Sequence, residues 1–130
     1  MGRDLASGAP LTGGDEHTAM DLEATADGQL VIPLDAHARL SHPSQNRGRT
    51  MLRRSWNYSH TGASGPTTSG LVVVAVQNNI ADVFVPVQRK LDLQDALNEW
   101  IVHIGSAVFA MLPGWEQDGW PGHQLLDGLS

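Results

Sequence analysis

Met51-Leu52-Arg53-Arg54-Ser55-Trp56-Asn57-Tyr58 decides how this chain folds on paper. Trp56 and Tyr58 recur at period two in a run of β-like composition, which predicts a strand. Its natural partner is Leu71-Val72-Val73-Val74-Ala75-Val76. That run is β-branched and apolar without alternation, the pattern of a central strand covered on both faces. Thr61 to Gly70, rich in Gly, Ser, Thr and Pro, reads as the turn region that joins the two into an antiparallel pair.

Upstream lies Leu30-Val31-Ile32, a short apolar run stopped by Pro33, then the polar segment Asp35 to Pro43 with His37, Arg39 and His42. Asn46 to Thr50 is a loop around Gly48. Residues 1–29 read as an irregular, linker-like segment: Gly8-Ala9-Pro10, Gly13-Gly14 and Asp27-Gly28 are turn chemistry, and Asp15 to Glu23 shows no apolar face.

Downstream the period changes. Ile80, Val83, Phe84, Val87 and Leu91 fall at helical spacing, although Val83 to Val87 also has strand propensity and Pro86 would kink a helix interior. Helix is the favoured reading. Asp92 is placed to cap a second helix with Leu93, Leu97, Trp100, Ile101 and Ile104 on one face, stopped at Gly105. Ala107 to Leu112 reads as a last short strand, and residues 115–130 as a Gly/Trp-rich tail. The order predicts an α+β domain, an antiparallel sheet with helices on one face. Three strands are too few to cover Leu71–Val76 on both sides, which implies a part of the sheet not written here.

With 130 residues, 41% hydrophobic and 17% charged, the chain is sized for one domain with a core. A net charge of −6 argues against nonspecific binding to nucleic acid or anionic lipid. The absence of cysteine excludes disulfides, thiolate ligation of haem or zinc, and thiol nucleophiles. No apolar run approaches a membrane span, and residues 1–30 show no export signal.

His37 and Arg53, sixteen residues apart, are the informative pair: a neutral imidazole is a good iron or zinc ligand, and a buried arginine stabilises developing negative charge. In isolation, His37 reads as a surface or capped loop residue, Arg53 and Arg54 as a charged strand edge, and Arg39 as a surface ion pair. A zinc site from His37 and His42 is the rival metal reading, weak for want of a third ligand.

The wording itself is more specific. Ile32-Pro33-Leu34-Asp35-Ala36-His37-Ala38-Arg39-Leu40, Met51 to Tyr58, Phe84-Val85-Pro86-Val87-Gln88-Arg89 and Leu97-Asn98-Glu99-Trp100-Ile101 resemble, in that order, the dye-decolorizing (DyP-type) haem peroxidases. So do His103, Gly105 to Ala110 and Pro113-Gly114, and the opening Gly2-Arg3 with Gly8-Ala9-Pro10-Leu11 resembles a linker inside that family.

The resemblance implies haem b, with His37 as proximal ligand to the iron, Asp95 or Glu99 accepting from its other ring nitrogen, and Arg39 on a haem propionate. It implies Arg53 as the distal arginine, and hydrogen peroxide and a bulky aromatic reductant as substrates. Trp56, Tyr58, Trp115 and Trp120 are then candidate electron relays, with packing as the plainer reading. The fold implied is the ferredoxin-like C-terminal part, residues 30–114, of a dimeric α+β barrel.

One element departs from the family. The resemblance implies an acid-base aspartate in a Gly-x-x-Asp-Gly motif, and Gly114-Trp115-Glu116-Gln117-Asp118-Gly119 has one residue too many. The chain therefore reads as the last third of such an enzyme, with Met1 an internal methionine, a restart, or the start of a natural short form. The alternative is an inert chain that binds haem weakly or joins a partner supplying the missing half. Homo-oligomerisation stays open. So does localisation: cytoplasmic as written, in a family whose members are often exported or encapsulated.

Overall fold

The computed structural model describes residues 2–62, 65–112, 114 and 119–123. It is an α+β chain with two small antiparallel sheets and short helices. β1 (Thr25–Ala26) and β2 (Gln29–Leu30) form a minimal hairpin. Its two-residue turn needs positive φ at both positions, and Asp27 (51°) and Gly28 (78°) supply it. Helix α1 (His37–Leu40) follows, then a 3-10 turn at Pro43–Gln45. β3 (Leu52–Thr61) and β4 (Thr67–Val76) make a long hairpin, with Arg53 opposite Ala75, Ser55 opposite Val73 and Asn57 opposite Leu71. A π-helical turn at Ile80–Phe84 runs into α2 (Val85–Gln94), and Ala96–Glu99 is a 3-10 turn.

The core is small and sits beside α1. Leu22, Ile32 and Ala36 form one buried cluster with Met20 against it; Leu40, Val87 and Leu91 form a second with Met51. The helix predicted from Ile80 is present, and Pro86 falls where its π-helical turn passes into α2.

Four expectations are corrected. Leu71–Val76 is not a covered central strand: Leu71, Val72, Val73 and Val74 are all exposed, because β4 pairs only with β3 among the described residues. The turn region is shorter than Thr61–Gly70, since both strands run into it. Cross-strand hydroxyl bonds (Thr61 to Thr67, 2.9 Å; Ser69 to Ser59, 3.1 Å) and the Tyr58 ring lying over Gly70 hold them.

The second helix does not run from Asp92 to Ile104. The chain turns at Asp95, which is extended (ψ 120°) and caps the 3-10 turn by accepting from Leu97 N at 2.9 Å. Leu93, Trp100 and Ile104 are exposed rather than core. Finally, Ala107–Leu112 forms no strand, and residues 101–112 have no regular structure. Of residues 1–29, expected to be irregular, Thr25–Ala26 and Gln29 instead belong to the β1–β2 hairpin, while 2–24 hold only an isolated bridge between Arg3 and Pro10 and are docked: Gly2, Ala9 and Leu22 are buried, and Asp4, Asp15 and Asp21 each close a turn.

Candidate functional site

His37 opens α1 because the chain before it is pinned. Ile32 is fully buried, Pro33 O accepts from Ala36 N, and Ala36 is buried against Leu22. At the other end, Asn46 donates to the carbonyls of Leu40 (2.7 Å) and His42 (2.8 Å), satisfying groups the short helix leaves open.

Asp95 meets His37 from 58 residues away in sequence: Nδ1 lies 2.5 Å from Asp95 Oδ2. The Asp95 side chain is 3% exposed and that of His37 32%. An ionised carboxylate only accepts, so Nδ1 carries the proton and donates, and Nε2 of the neutral ring keeps its lone pair. Asp95 Oδ1 is occupied by Leu97 N, and Ala96 N donates to Asp35 O, so both strands of chain are tied at this point. Glu99, the other candidate, is exposed on the 3-10 turn.

Arg39 is the residue for which the resemblance implies a haem propionate as partner. It is buried (5% exposed), with Nε donating to Ile32 O at 3.1 Å and Nη2 to Leu22 O. Two backbone carbonyls are its partners, and it is not among the residues lining the cleft described next.

A cleft of about 390 Å³ lies between α1 and the β3–β4 hairpin. Arg3, Met20, His37, Ala38 and His42 contribute to one wall; Arg53, Arg54, Ser55, Leu71 and Val73 form the other. Directly opposed residues of an antiparallel pair share a face. Ser55 with Val73, and Asn57 with Leu71, mark the cleft face, so Arg53 with Ala75 points there too. Arg54, Trp56 and Tyr58 belong to the outer face, Arg54 reaching the cleft at its edge. Trp56 is 57% exposed there. Trp120 is exposed with its ring 6.1 Å from that of His123, and Trp115 lies outside the described residues.

The donor set fits haem: one imidazole with its second nitrogen fixed by a buried carboxylate, in a cleft with apolar walls and a cation across from it. It does not favour zinc. Among the described residues no three His, Cys, Asp or Glu side chains converge on one point, and His42 Nδ1 is taken by Ser44. Arg3 and Met20 are cleft residues that sequence reading missed; they arrive by a long-range contact that no local pattern encodes.

A family model described as "Dyp-type peroxidase, C-terminal" matches residues 1–116. The chain belongs to that family, and its fold is the ferredoxin-like C-terminal domain of the DyP-type peroxidases, which are haem enzymes. It is 40% identical over 131 residues to the dye-decolorizing peroxidase of Thermobifida fusca, covering 98% of this chain and 30% of that protein. It is 40% identical over 117 residues to a deferrochelatase of Yersinia pestis, covering 88% and 26%. Among solved structures, a DyP-type peroxidase from Cellulomonas bogoriensis superposes with a TM-score of 0.87 at 47% identity, covering 98% of this chain and 36% of that one. Ferric DtpA from Streptomyces lividans gives 0.78 at 40%, again covering 98% and 36%. The chain thus spans about a third or less of the proteins it matches.

Proposed function

We propose that this chain supplies the haem-ligating part of a DyP-type peroxidase that oxidises bulky aromatic substrates with hydrogen peroxide. The observation that carries the reading is the His37–Asp95 pair, which fixes the tautomer able to bind iron through Nε2. Haem, when bound, supplies the iron at which hydrogen peroxide is reduced to water by two electrons drawn from the reductant.

The residues divide the work. His37 binds and orients; Asp95 holds the ring proton on Nδ1 and raises the basicity of Nε2. Arg53, on the facing wall, offers a fixed positive charge to the oxygen that leaves as the peroxide bond breaks. Leu71, Val73, Ala38 and Met20 supply the apolar part of the lining on the two walls. No carboxylate lines the cleft among the described residues, so proton transfer from peroxide is assigned to none of them.

A second reading is supported by the exposed hairpin: a haem-binding wall that turns over only when another polypeptide covers it. Haemin titration followed at the Soret band tests the first step. A band shift lost in His37→Ala supports ligation, and no shift in the wild-type chain sinks both readings. Dye oxidation no faster than with free haemin sinks the stand-alone enzyme and leaves the second.

A further inference from the structure

We infer that this chain pairs with a second copy of itself along the free edge of β4, joining two β3–β4 hairpins into one four-stranded antiparallel sheet. The inference stands on the hairpin and not on haem. A strand edge presents a row of unpaired N–H and C=O groups, and natural sheets blunt it with charge, proline or a bulge. β3 is blunted, since it carries Arg53, Arg54 and His60. β4 is not. Thr67–Val76 has no charged residue and no proline, and its register with β3 runs without a bulge. Among the described residues it pairs only with β3, and Leu71 to Val74 are each between 44% and 57% exposed.

Charge, area and strand number select a second copy as the occupant. All 14 acidic residues lie outside the hairpin, so two β4 edges meet without the repulsion that a net charge of −6 gives elsewhere. Contact along β3 would instead bring the arginines of both copies together. The chain exposes about 3,500 Å² more than a folded monomer of its mass, and a standard interface takes about 800 Å² from each partner. Two strands are marginal alone, whereas three or more with an apolar face are stable, and the pairing makes four.

Symmetry then sets the geometry. Directly opposed residues of antiparallel strands share a face, and a twofold axis relates like faces of the two copies. One residue of β4 therefore lies opposite itself. The second copy's Leu71 and Val73 fall on the cleft side of the joint sheet and lengthen the Arg53 wall.

Sedimentation of the full chain without haemin should give a dimer, twice 14.0 kDa. The chain has no cysteine, so single substitutions from Leu71→Cys to Val76→Cys, oxidised one variant at a time, map the axis. Self-opposed Cα atoms lie about 4.5–5.5 Å apart, within disulfide reach, and like residues one step to either side lie about 8 Å apart, beyond it. One β4 position should therefore crosslink in preference to its neighbours, and Ser55→Cys and Ser59→Cys on β3 should not crosslink. Val74→Lys, at a residue exposed in the single chain, should weaken the dimer more than about tenfold. A monomeric mass for the wild-type chain at every concentration, a result that needs no variant to fold, overturns the inference and leaves the haem reading standing. So does a mass above the dimer, which would engage the β3 edge as well. A dimer that no single β4 position crosslinks in preference, or that crosslinks best through β3, overturns it too.

Discussion

Replacing Asp95 by asparagine separates the two tasks of one side chain. Asp95 accepts from His37 Nδ1 through Oδ2 and from Leu97 N through Oδ1. Asparagine has a single accepting oxygen. If that oxygen stays on Leu97 N, the amide N–H₂ faces His37 and the ring must turn Nδ1 into an acceptor. The proton then sits on Nε2, and the ring has no lone pair for iron. If the amide rotates instead, His37 keeps its tautomer and the 3-10 turn loses its cap, a cost of about 0.5–2 kcal/mol.

Losing an outer partner of a metal-bound histidine lowers metal affinity about 10–100-fold, or about 1.4–2.7 kcal/mol. Haemin titration of Asp95→Asn should show a loss in that range. Asp95→Ala should show a similar loss together with lower stability in urea, since both bonds go at once. Asp95→Asn with wild-type haemin affinity and an unchanged Soret band would refute the tautomer argument and the ligand role built on it.

Strand alternation places Arg53 on the cleft face, so Arg53→Ala should lower peroxide-dependent turnover about 10²–10³-fold, and Arg54→Ala far less; equal losses would refute the face assignment. Arg39→Met strips the buried carbonyls of Leu22 and Ile32 of their donor and should destabilise the chain by about 2–4 kcal/mol in urea unfolding. A change within about 0.5 kcal/mol would show those bonds to be dispensable. Backbone and hydroxyl donation from Ser7 holds the Asp4 carboxyl below its ordinary 3.8, and the Thr18 hydroxyl and His17 amide do the same for Asp15. A depressed folded-state value means stabilisation fully present above pH 3.8 and lost as pH falls through the lower folded value. Amide exchange at Ser7 and His17 should therefore quicken only on acidification below 3.8, beyond the intrinsic pH dependence of exchange, and a change already present near neutrality would contradict it.

Local chemistry was legible in the sequence, and long-range cover was not. The Asp27-Gly28 turn, the β3–β4 pairing and the helix from Ile80 follow from turn residues and periodicity, which act over a few positions. The helix end did not follow, because Asp95 is drawn into an extended conformation by Leu97 N and by a histidine 58 residues away. For the same reason the choice between Asp95 and Glu99 stayed open until the fold was known. Leu71–Val76 misled in the opposite direction: its composition encodes burial on two faces, and the described residues provide cover for neither. Arg39 looked free for a ligand because nothing local reveals that Leu22 O and Ile32 O close over it.

The two walls of the cleft are held by unequal means, and that inequality bears on what the chain does. The His37 wall rests on the buried clusters around Ile32 and Leu40, tied by Asp95, Arg39 and Asn46. The Arg53 wall is a hairpin with ten register pairs and no buried residue. Two strands alone are marginal in water. The whole chain exposes 10247 Å², where a folded monomer of 14.0 kDa exposes about 6,700 Å². Apolar residues of the hairpin, such as Leu52, Trp56 and Val72, and of the segment 101–112, such as Val102, Ile104 and Phe109, contribute to that excess. Anything that binds only the formed hairpin stabilises it by mass action and raises the fraction of molecules with Arg53 in place. On the proposed reading, iron ligation then depends on the wall this chain packs for itself, and turnover on the wall it leaves to be covered.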